Sequence, residues 1–464
     1  MNHIIVWFSN DLRIHDQEAL HKACLRVSQN LTQNTNSNQH QNQAMVFPVY
    51  CLDDRQFEET ELGFRKTEAF RAKFLLESVM NLKQNLQKIG SDLIILRGKP
   101  EEEIYKLAKL IGAKSVYGSK EVCAEETKIE QNLEKKLHKL GCELILFWQA
   151  TLLHIEDLPY TIKHVPDVFT EFRKGCEKIV KIRKTLPTPT KILPFSLTNL
   201  LTNSSANLEQ IAPKIYEQIT LKDIGFDSEV QTNSKAVLDF KGGEDAGLLR
   251  IHDYFWQKDR LKVYKETRNE LIGADYSSKF SAWLSLGCIS PRKINDEILK
   301  YETQRVKNES TYWLFFELLW RDYFRFIAKK YGDKLFDIEG LKGSRNDLDL
   351  KNNYGLFAKW KNGKTGLPFI DANMIELKET GSMSNRGRQN VASYLVKDLK
   401  VNWQWGAMYF ESQLLDYDVC SNWGNWNYVA GVGNDPRENR YFNIATQAKR
   451  YDEKGEYVKL WLGK

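Results

Sequence analysis

The stretch from residue 380 to residue 428 concentrates side chains that could hold a flat ligand with a polar edge. It carries two arginines, four tryptophans and an Asp-Tyr-Asp triplet. A protein core prefers aliphatic side chains without unpaired polar atoms, so this composition does not suit a plain core. Asn385 and Arg388 stand one helical turn apart, and Asp416 and Asp418 flank a tyrosine. Carboxylates, an amide and an arginine in this arrangement could grip a ribose, a diphosphate and the edge of a heterocycle.

A second cluster, the sequence SSKFS at 277–281, places three hydroxyls and a lysine beside a helix-rich stretch. Hydroxyls and backbone amides near the start of a helix are groups that can hold a diphosphate. The alternative is an ordinary capped helix start, because small polar clusters are common. The residues alone leave both interpretations open.

Glu317 and Arg321 stand four residues apart in a helical pattern crowded with aromatic side chains. Such a pair often forms an intrahelical ion pair worth about 0.2–0.5 kcal/mol. This helix is apolar nearly all round, however, and buried charges need a reason. A functional site and a structural ion pair are therefore equal alternatives.

Two further observations exclude particular kinds of catalytic and binding site. His252 is the last histidine of the chain, so a catalytic histidine pair cannot lie in the region that follows it. Chemistry there must come from a cofactor or from Asp, Glu, Lys or Tyr. The sequence GKTG at 363–366 is predicted to be a surface turn, because Ala358 stands where a phosphate loop needs glycine.

Strand and helix patterns alternate through the first part of the chain. Short runs rich in Val and Ile predict strands at 3–9, 45–51, 92–98, 114–119 and 143–148. Helical patterns lie between them at 65–90, 101–112 and 124–141. The alternation predicts an α/β domain over residues 1–184, with a parallel five-stranded, Rossmann-like sheet. A G-x-G-x-x-G fingerprint is absent, which argues against an ordinary dinucleotide-binding site.

Three further segments complete the predicted organisation. Residues 28–43 are polar and of low complexity, and they are predicted to be a disordered surface insertion. Residues 185–235 are rich in Pro, Thr, Asn and Ser, and they are predicted to link the two domains. Long helical patterns dominate residues 236–464, which are predicted to form an all-α domain.

The composition agrees with two domains in a chain of 464 residues. A net charge of +6 permits binding to nucleic acid without requiring it. Seven scattered cysteines favour reduced thiols in a cytoplasmic protein over disulfides or a metal site. No run of about 20 apolar residues could span a membrane. The N-terminus is predicted to be a strand, and no secretory signal is expected.

Four segments together closely resemble the photolyase/cryptochrome family, and most of all its DASH-type cryptochrome branch. In chain order they are GADYSSKFSAWLSLGCISPR, ELLWRDYFRF, TGSMSNRGRQNVASYLVKDL and DPRENRYFNI. The resemblance covers nearly the whole chain. It implies an α/β antenna domain, a long linker and a helical domain that holds FAD in a U shape.

The resemblance also implies which side chains contact FAD. The matching positions are Tyr264, Ser277, Ser278, Lys279, Phe280, Ser281, Glu317, Arg321, Asn385, Arg388, Asp416, Asp418 and Asn422. Among these, the SSKFS run matches the diphosphate and ribityl contacts. Asn422 matches the asparagine that faces N5 of the flavin.

Proteins of this family repair pyrimidine dimers with light, through an electron that passes to a flipped-out lesion and returns. The resemblance maps the catalytic pocket to Glu317, Trp320, Asn385, Gln389 and Tyr428. Gln389 and Tyr428 stand where duplex-repairing members carry Met and Trp. In DASH-like relatives this more polar pocket goes with repair in single-stranded DNA. The positions that match DNA phosphate contacts are Arg268, Arg386 and Arg440.

Two tryptophans match the family's route for electrons to the flavin, with Trp426 nearest and Trp403 next. The third member would fall at Leu350, which cannot carry a radical. The sequence therefore implies slower photoreduction or another exit, for which the candidates are Trp360, Trp405 and Tyr354.

The resemblance further implies a folate antenna, 5,10-methenyltetrahydrofolate, in the cleft between the domains, with Glu125 and Glu126 near it. We expect a monomer that binds single-stranded DNA and no membrane. The alternative function is a blue-light photoreceptor that signals through DNA or a partner, although the chain ends soon after the family's core. Repair of (6-4) photoproducts is disfavoured, because that reaction uses a pocket histidine and none follows His252.

Overall fold

The computed structural model describes residues 2–33, 44–195, 213–226, 230–343, 349–437 and 440–463. Its strands are β1 (Ile4–Phe8), β2 (Val46–Leu52), β3 (Ile94–Arg97), β4 (Ser115–Ser119), β5 (Glu143–Phe147) and β6 (Ile215–Tyr216). The helices of the first part are α1 (Glu18–Gln33), α2 (Ala69–Lys88), α3 (Pro100–Ile111), α4 (Ala124–His138) and α5 (Phe169–Ile179).

The later part of the chain is helical. Its helices are α6 (Glu244–His252), α7 (Tyr264–Thr267), α8 (Ser281–Ser285), α9 (Pro291–Gln304), α10 (Glu309–Tyr331), α11 (Tyr354–Lys361), α12 (Pro368–Thr380), α13 (Asn385–Ser393), α14 (Trp403–Gln413), α15 (Val419–Ala430), α16 (Ile444–Tyr451) and α17 (Glu456–Leu462). Among the described residues after 236, no strand forms beyond an isolated bridge between Lys351 and Val401. The predicted all-α character of this part is confirmed.

The sheet has the strand order β5-β4-β1-β2-β3-β6. The first five strands are parallel, as predicted, and β1 and β2 are buried along their whole length. Strands covered on both faces read as continuous apolar runs, which is why the sequence revealed them. The prediction of five strands was incomplete, because β6 adds a short antiparallel edge strand, with Ile95 opposite Tyr216.

Two predicted segments have a different structure from the one expected. Strand β6 lies within the predicted linker, 185–235, so part of that segment is built into the first domain. Helix α1 continues to Gln33, so residues 28–33 belong to a helix and not to a disordered insertion. Polar residues can extend a helix that is already nucleated, because each added residue gains a backbone hydrogen bond. The rest of the predicted insertion lies outside the described residues.

Helix α10 is the central element of the helical part. Asn308 and Thr311 form a capping box at its start, and the helix ends at Gly332. A carboxylate in its middle, that of Asp322, accepts hydrogen bonds from the backbone N–H groups of Leu152 and Leu153 at 3.0 and 2.7 Å. Burial raises the pKa of Asp322 to about 7. This helix therefore joins the helical part to the loop that follows β5.

Further buried polar contacts fix the two parts against each other. Arg292 pairs with Asp16 at 2.7 Å, and both side chains are almost fully buried. The Glu244 carboxylate accepts from the backbone N–H groups of Ile14 and His15 at 2.9 and 3.0 Å. Satisfied buried polar networks of this kind specify one arrangement of the packed elements. Among the described helices, none is both long and apolar enough to cross a membrane.

Candidate functional site

A cavity of about 490 Å³ opens among the helices of the second part. Every residue that the resemblance maps to FAD lines this cavity. So do six other predicted site residues: Trp320, Gln389, Trp426, Tyr428, Arg268 and Arg440. Residues far apart in the chain therefore line one cavity. Pockets of this size are typical of small-molecule and cofactor sites.

Helix α13 positions the first polar pair of the cavity. The Ser384 side chain caps the helix by accepting from the N–H of Gly387 at 2.9 Å, which places Asn385 and Arg388 on its first turn. A side chain at Gly387 would meet the Asn373 amide oxygen at 2.0 Å, so only glycine permits this close packing. The spacing of Asn385 and Arg388 thus brings both side chains to the cavity wall.

Asp416 and Asp418 also line the cavity. Arg388 Nη2 donates to both oxygens of Asp416 at 2.9 and 3.0 Å. Asp418 is the N-cap of α15 and accepts from the N–H of Ser421 at 2.8 Å. Burial alone would raise the pKa of Asp418, but the charge of Arg321, 3.8 Å away, holds it below its usual value. Asp418 therefore stays ionised beside the cavity.

Asn422 lies one turn further along α15. Its side-chain nitrogen donates to the carbonyl oxygen of Ala407 at 3.0 Å, which fixes the plane of the amide. The residue is buried and lines the cavity. A fixed amide at this wall presents a polar edge without adding a charge.

The SSKFS segment forms the floor of the cavity. Arg250 holds it by donating to the carbonyl oxygens of Ser277 and Ser278 at 3.2 and 3.1 Å. Lys279 has a left-handed backbone, with φ of 61°, which is uncommon for a side chain other than glycine. Its ammonium lies 3.3 Å from the centre of the Tyr276 ring. Removal from water lowers the pKa of Lys279 to about 7.

The same floor holds a polar atom that needs a partner. The Tyr276 hydroxyl is buried and lacks a hydrogen-bond partner among the described residues. Buried hydroxyls in native proteins are nearly always hydrogen-bonded, so an unpaired one signals a missing group. The floor therefore offers a cation, hydroxyls and an unpaired O–H to a ligand that carries acceptor oxygens. A diphosphate has this chemistry.

Glu317 and Arg321 do not form the ion pair that their spacing allows. Glu317 pairs with Arg268, whose position matched a DNA contact. Arg321 donates to the carbonyl oxygens of Ala150 and Leu284, the second at 3.2 Å. The intrahelical alternative is therefore wrong, because each side chain finds a partner on another element.

The aromatic wall of the cavity is braced from the first domain. Trp320 stacks on Phe169 of α5, with ring centres 3.7 Å apart and planes inclined by 14°. Tyr428 meets Trp320 edge-on at 5.9 Å. Phe169 covers one face of Trp320, and Trp320 also lines the cavity. Sequence reasoning missed Phe169, because nothing in its local pattern shows that it reaches a helix 151 positions further along the chain (from 169 to 320).

Of two further arginines predicted to contact DNA, one lines the cavity and the other lies outside it. Arg386 donates to Gln389 Oε1 at 2.8 Å and to Asn269 Oδ1 at 3.0 Å, and it does not line the cavity. Arg440 lies 3.4 Å from an Asp435 oxygen and does line it. These arginines stay predictions as DNA contacts.

The tryptophans form two groups around α15. Trp426 lines the cavity and contacts Phe410 and Trp360, with ring centres 5.1 and 6.3 Å away. Trp403 is fully buried and contacts Trp423 at 5.7 Å. The ring contacts in the fold thus connect Trp426 to Trp360, and Trp403 to Trp423.

A continuous line of rings leads from Trp360 to the surface. Phe357 lies 5.9 Å from Trp360, and Trp405 and Tyr354 lie 5.5 and 6.3 Å from Phe357. Tyr354 is half exposed. Leu350, in contrast, offers no ring at the third position of the family route.

A second cavity of about 570 Å³ lies between the two parts of the molecule. Glu125 and Glu126, which the resemblance placed near an antenna, line it. Burial raises the pKa of Glu126 to about 7. The charged lining residues that the sequence did not reveal include Lys66, Arg71 and Glu411. They come from separate elements, so no local spacing could have grouped them.

The two cavities share part of one wall. The residues that line both are Ser285, Arg321, Leu415, Tyr417 and Asp418. Ligands in the two cavities would therefore be separated by a single layer of side chains.

The GKTG segment is a turn with its amides already occupied, as the sequence predicted. The Asp371 carboxylate accepts from the N–H groups of Thr365 and Gly366 at 2.8 and 3.0 Å. These amides cannot also cradle a phosphate.

Comparison with known proteins gives the site its context. Residues 4–191 match the family model described as DNA photolyase, and residues 313–464 match the FAD binding domain of DNA photolyase. The chain is 49% identical over 460 residues to a Cryptochrome DASH of Synechocystis sp. PCC 6803, covering 99% of this chain and 87% of that protein. It is 50% identical to a Cryptochrome DASH of Gloeobacter violaceus, covering 99% and 85%. The solved structure of a Synechocystis sp. PCC6803 cryptochrome superposes with a TM-score of 0.89 at 48% identity, covering 100% of this chain and 89% of that chain.

Proposed function

The chain belongs to the photolyase/cryptochrome family, in its DASH-type branch, and from this we propose that it is a light-driven, FAD-dependent lyase of cyclobutane pyrimidine dimers. We further propose that it prefers dimers in single-stranded DNA. The observation that carries the proposal is the cavity in which the mapped FAD contacts meet Glu317, Trp320 and Tyr428.

The residues of the cavity fit FAD. Lys279 and the unpaired Tyr276 hydroxyl suit the diphosphate. The ionised Asp418 and the Arg388–Asp416 pair suit the ribose and the polar edge of a heterocycle. FAD, when bound here, would supply the light-driven electron chemistry of the family.

The protein's own part in the reaction is to receive and orient the lesion. Trp320 lines the cavity and is an aromatic ring on which a base can stack, while Phe169 covers one of its faces. The Glu317 carboxylate, held by Arg268, can accept a hydrogen bond from a pyrimidine N–H. Tyr428 stands edge-on to Trp320 and limits the depth of the pocket.

The preference for single strands rests on the chemistry of two side chains. Gln389 and Tyr428 make the pocket more polar and less aromatic than one built from Met and Trp. Such a pocket gains less from stacking, and a flipped base must first be unstacked and unpaired. A single strand removes the unpairing cost, so weaker stacking suffices.

A repair assay under blue light tests the proposal directly. Purified, reduced protein is illuminated with an oligonucleotide that carries one dimer, in single-stranded and duplex form, with a dark sample as the control. We expect the dimer to disappear in light from the single strand first. Absence of light-dependent loss in single strands would contradict repair and favour a blue-light photoreceptor.

We also propose that the cavity between the domains holds a folate antenna. The partly buried Glu126 and the neighbouring Glu125 provide acceptors for the N–H groups of a pterin. The shared wall would keep the antenna one layer of side chains from the FAD site. Titration of the protein with 5,10-methenyltetrahydrofolate should give a tight complex that Glu126→Ala weakens, and equal affinity in that variant would contradict the placement.

The pH dependence of FAD binding should report on Lys279. With its pKa near 7, this lysine is charged below pH 7 in the FAD-free protein and neutral above it. Binding a diphosphate above pH 7 must then take up a proton, so affinity should fall by up to about tenfold per pH unit. Dissociation constants at several pH values measure this.

The Lys279→Met variant distinguishes the effect of Lys279 on the pH dependence from the effects of other titrating groups. Burial also raises the pKa of Glu376 to about 7, so that carboxyl loses its proton over the same range. We expect the variant to bind FAD more weakly at low pH and with a flatter pH profile. An unchanged slope in Lys279→Met would contradict the role of the lysine.

Phe169 should act as a positioning residue for the lesion pocket. Replacing it by leucine removes the ring that holds the plane of Trp320. Aromatic pairs are worth about 0.5–1.5 kcal/mol beyond their buried area, so affinity for a dimer-containing single strand should fall about 2- to 10-fold. Phe172→Leu is the control, because Phe172 lies on the same helix and its ring contacts Phe169, Tyr323 and Phe326, whereas the stack on Trp320 belongs to Phe169. Equal losses in both variants would mean that α5 acts only through its packing.

A further inference from the structure

Cys123 and Cys420 form a buried pair of thiols where the two parts of the molecule meet. Their sulfur atoms lie 3.5 Å apart, although 297 positions separate them in the chain. Both residues are buried, with exposed fractions of 4% and 0%. All seven cysteines lie within the described residues and are free. Cys123–Cys420 is the one cysteine pair among them whose sulfurs are within hydrogen-bonding distance.

The pair connects two elements with separate roles. Cys123 is the N-cap of α4 in the α/β part, and Cys420 is the second residue of α15 in the helical part. Asp418 and Asn422, two residues to either side of Cys420, line the proposed FAD cavity. A covalent link at this point would tie the start of α15 to the α/β part.

Access to the pair runs along the cavity between the domains. Ala124 and Val419, the direct chain neighbours of the two cysteines, line that cavity. The cysteines themselves do not line the cavity and are buried, so an oxidant must be small enough to pass these neighbours. The hydrogen bond with Cys420 and burial raise the pKa of Cys123, while the charge of Arg325 acts in the opposite direction. The thiolate is the reactive form, so oxidation should be slow.

We propose that Cys123 and Cys420 are a redox modification site that a small peroxide converts into a disulfide between the two parts of the protein. One sulfur attacks the peroxide, breaks its O–O bond and becomes a sulfenic acid, with release of one water from hydrogen peroxide. The second thiol then attacks that sulfur and expels a second water. Two electrons pass from the sulfurs to the peroxide, and two thiols yield one disulfide. The sulfurs must approach from 3.5 Å to about 2.0 Å.

The disulfide should stabilise the protein and slow the loss of its flavin. A cross-link that closes a loop of this length restricts the unfolded chain strongly. The disulfide would also fix Asp418 and Asn422, two residues to either side of Cys420, relative to the α/β part. We therefore expect the unfolding temperature of the oxidised holoprotein to rise by several degrees and its flavin to dissociate more slowly.

The first experiment detects the bond itself. The flavin-bound protein is treated with excess hydrogen peroxide in the dark, remaining thiols are alkylated, and the protein is digested without reductant for mass spectrometry. We expect one cross-linked peptide pair that contains Cys123 and Cys420, is lighter by two hydrogens and disappears with dithiothreitol. Oxidation of the more exposed Cys24 without any such cross-link would overturn the proposal.

The second experiment measures the consequence of the bond. Cys420→Ala should lack the cross-link and show no peroxide-dependent rise in unfolding temperature, whereas Cys24→Ala should behave as the unsubstituted protein. If Cys420→Ala does not fold, the unsubstituted protein before and after oxidation still gives the comparison. If the disulfide forms completely but the unfolding temperature and the rate of flavin release do not change, the proposed stabilisation of α15 is wrong.

Discussion

The Arg388→Ala variant is expected to purify without bound flavin and to bind added FAD at least about 30-fold more weakly than the unsubstituted protein. The reason is the pair that Arg388 makes with Asp416, whose side chain is only 10% exposed. Truncating one partner of a buried charge pair costs about 2–5 kcal/mol, much of it from the charge left behind. In the variant, Asp416 would face the cavity without its cation. Fluorescence titration of the apoprotein with FAD measures the loss.

Two further variants show whether the geometry of Arg388 matters or only its charge. Arg388 also donates through Nε to the carbonyl oxygen of Met383 at 3.0 Å. Arg388→Lys keeps the charge but cannot make both contacts, so we expect an intermediate affinity. Arg386→Ala is the matched control, because it lies on the same helix and outside the cavity. Wild-type affinity in Arg388→Ala would show that the pair does not hold the cofactor.

The second large effect is expected on photoreduction, which Trp426→Phe should largely abolish. Trp426 lines the cavity, as Trp320 does, and phenylalanine preserves most of its packing without its readily oxidised indole. The measurement is the rate at which the bound flavin loses its blue absorbance under illumination with an external reductant. Trp256→Phe, a tryptophan outside the cavity, is the control and should leave this rate unchanged.

The same assay separates the two routes for electrons beyond Trp426. The family pattern names Trp403, whereas the ring contacts of the fold connect Trp426 to Trp360 at 6.3 Å. We therefore expect Trp360→Phe to slow photoreduction more than Trp403→Phe does. A large loss in Trp403→Phe with none in Trp360→Phe would favour the family route despite Leu350. If both variants photoreduce at the rate of the unsubstituted protein, neither Trp360 nor Trp403 is the sole exit for the electron.

The local patterns of the sequence were sufficient for much of the fold. Strands β1 and β2 are buried along their whole length, and so their apolar runs stood out. Helical periodicity identified the second part of the chain as all-α. The short strand β6 escaped prediction, because two residues carry no periodicity and its pairing with β3 depends on the finished sheet.

The composition of the cofactor site was also present in the sequence. Asn385 and Arg388 lie on one helical turn, so their spacing alone placed them on the same face. The resemblance supplied the more distant members, and the fold brings them all to one cavity. Local spacing and the resemblance thus selected residues that share one cavity, but they did not reveal the contacts among those residues.

The tertiary structure alone decided which side chains pair. Spacing within a helix predicts which face a residue occupies, but it cannot name a partner on another element. Glu317 accordingly pairs with Arg268 and not with Arg321. The stack of Phe169 on Trp320 and the contact of Cys123 with Cys420 follow the same rule. These contacts join residues far apart in the chain, and they exist only because packing of the two parts brings their elements together.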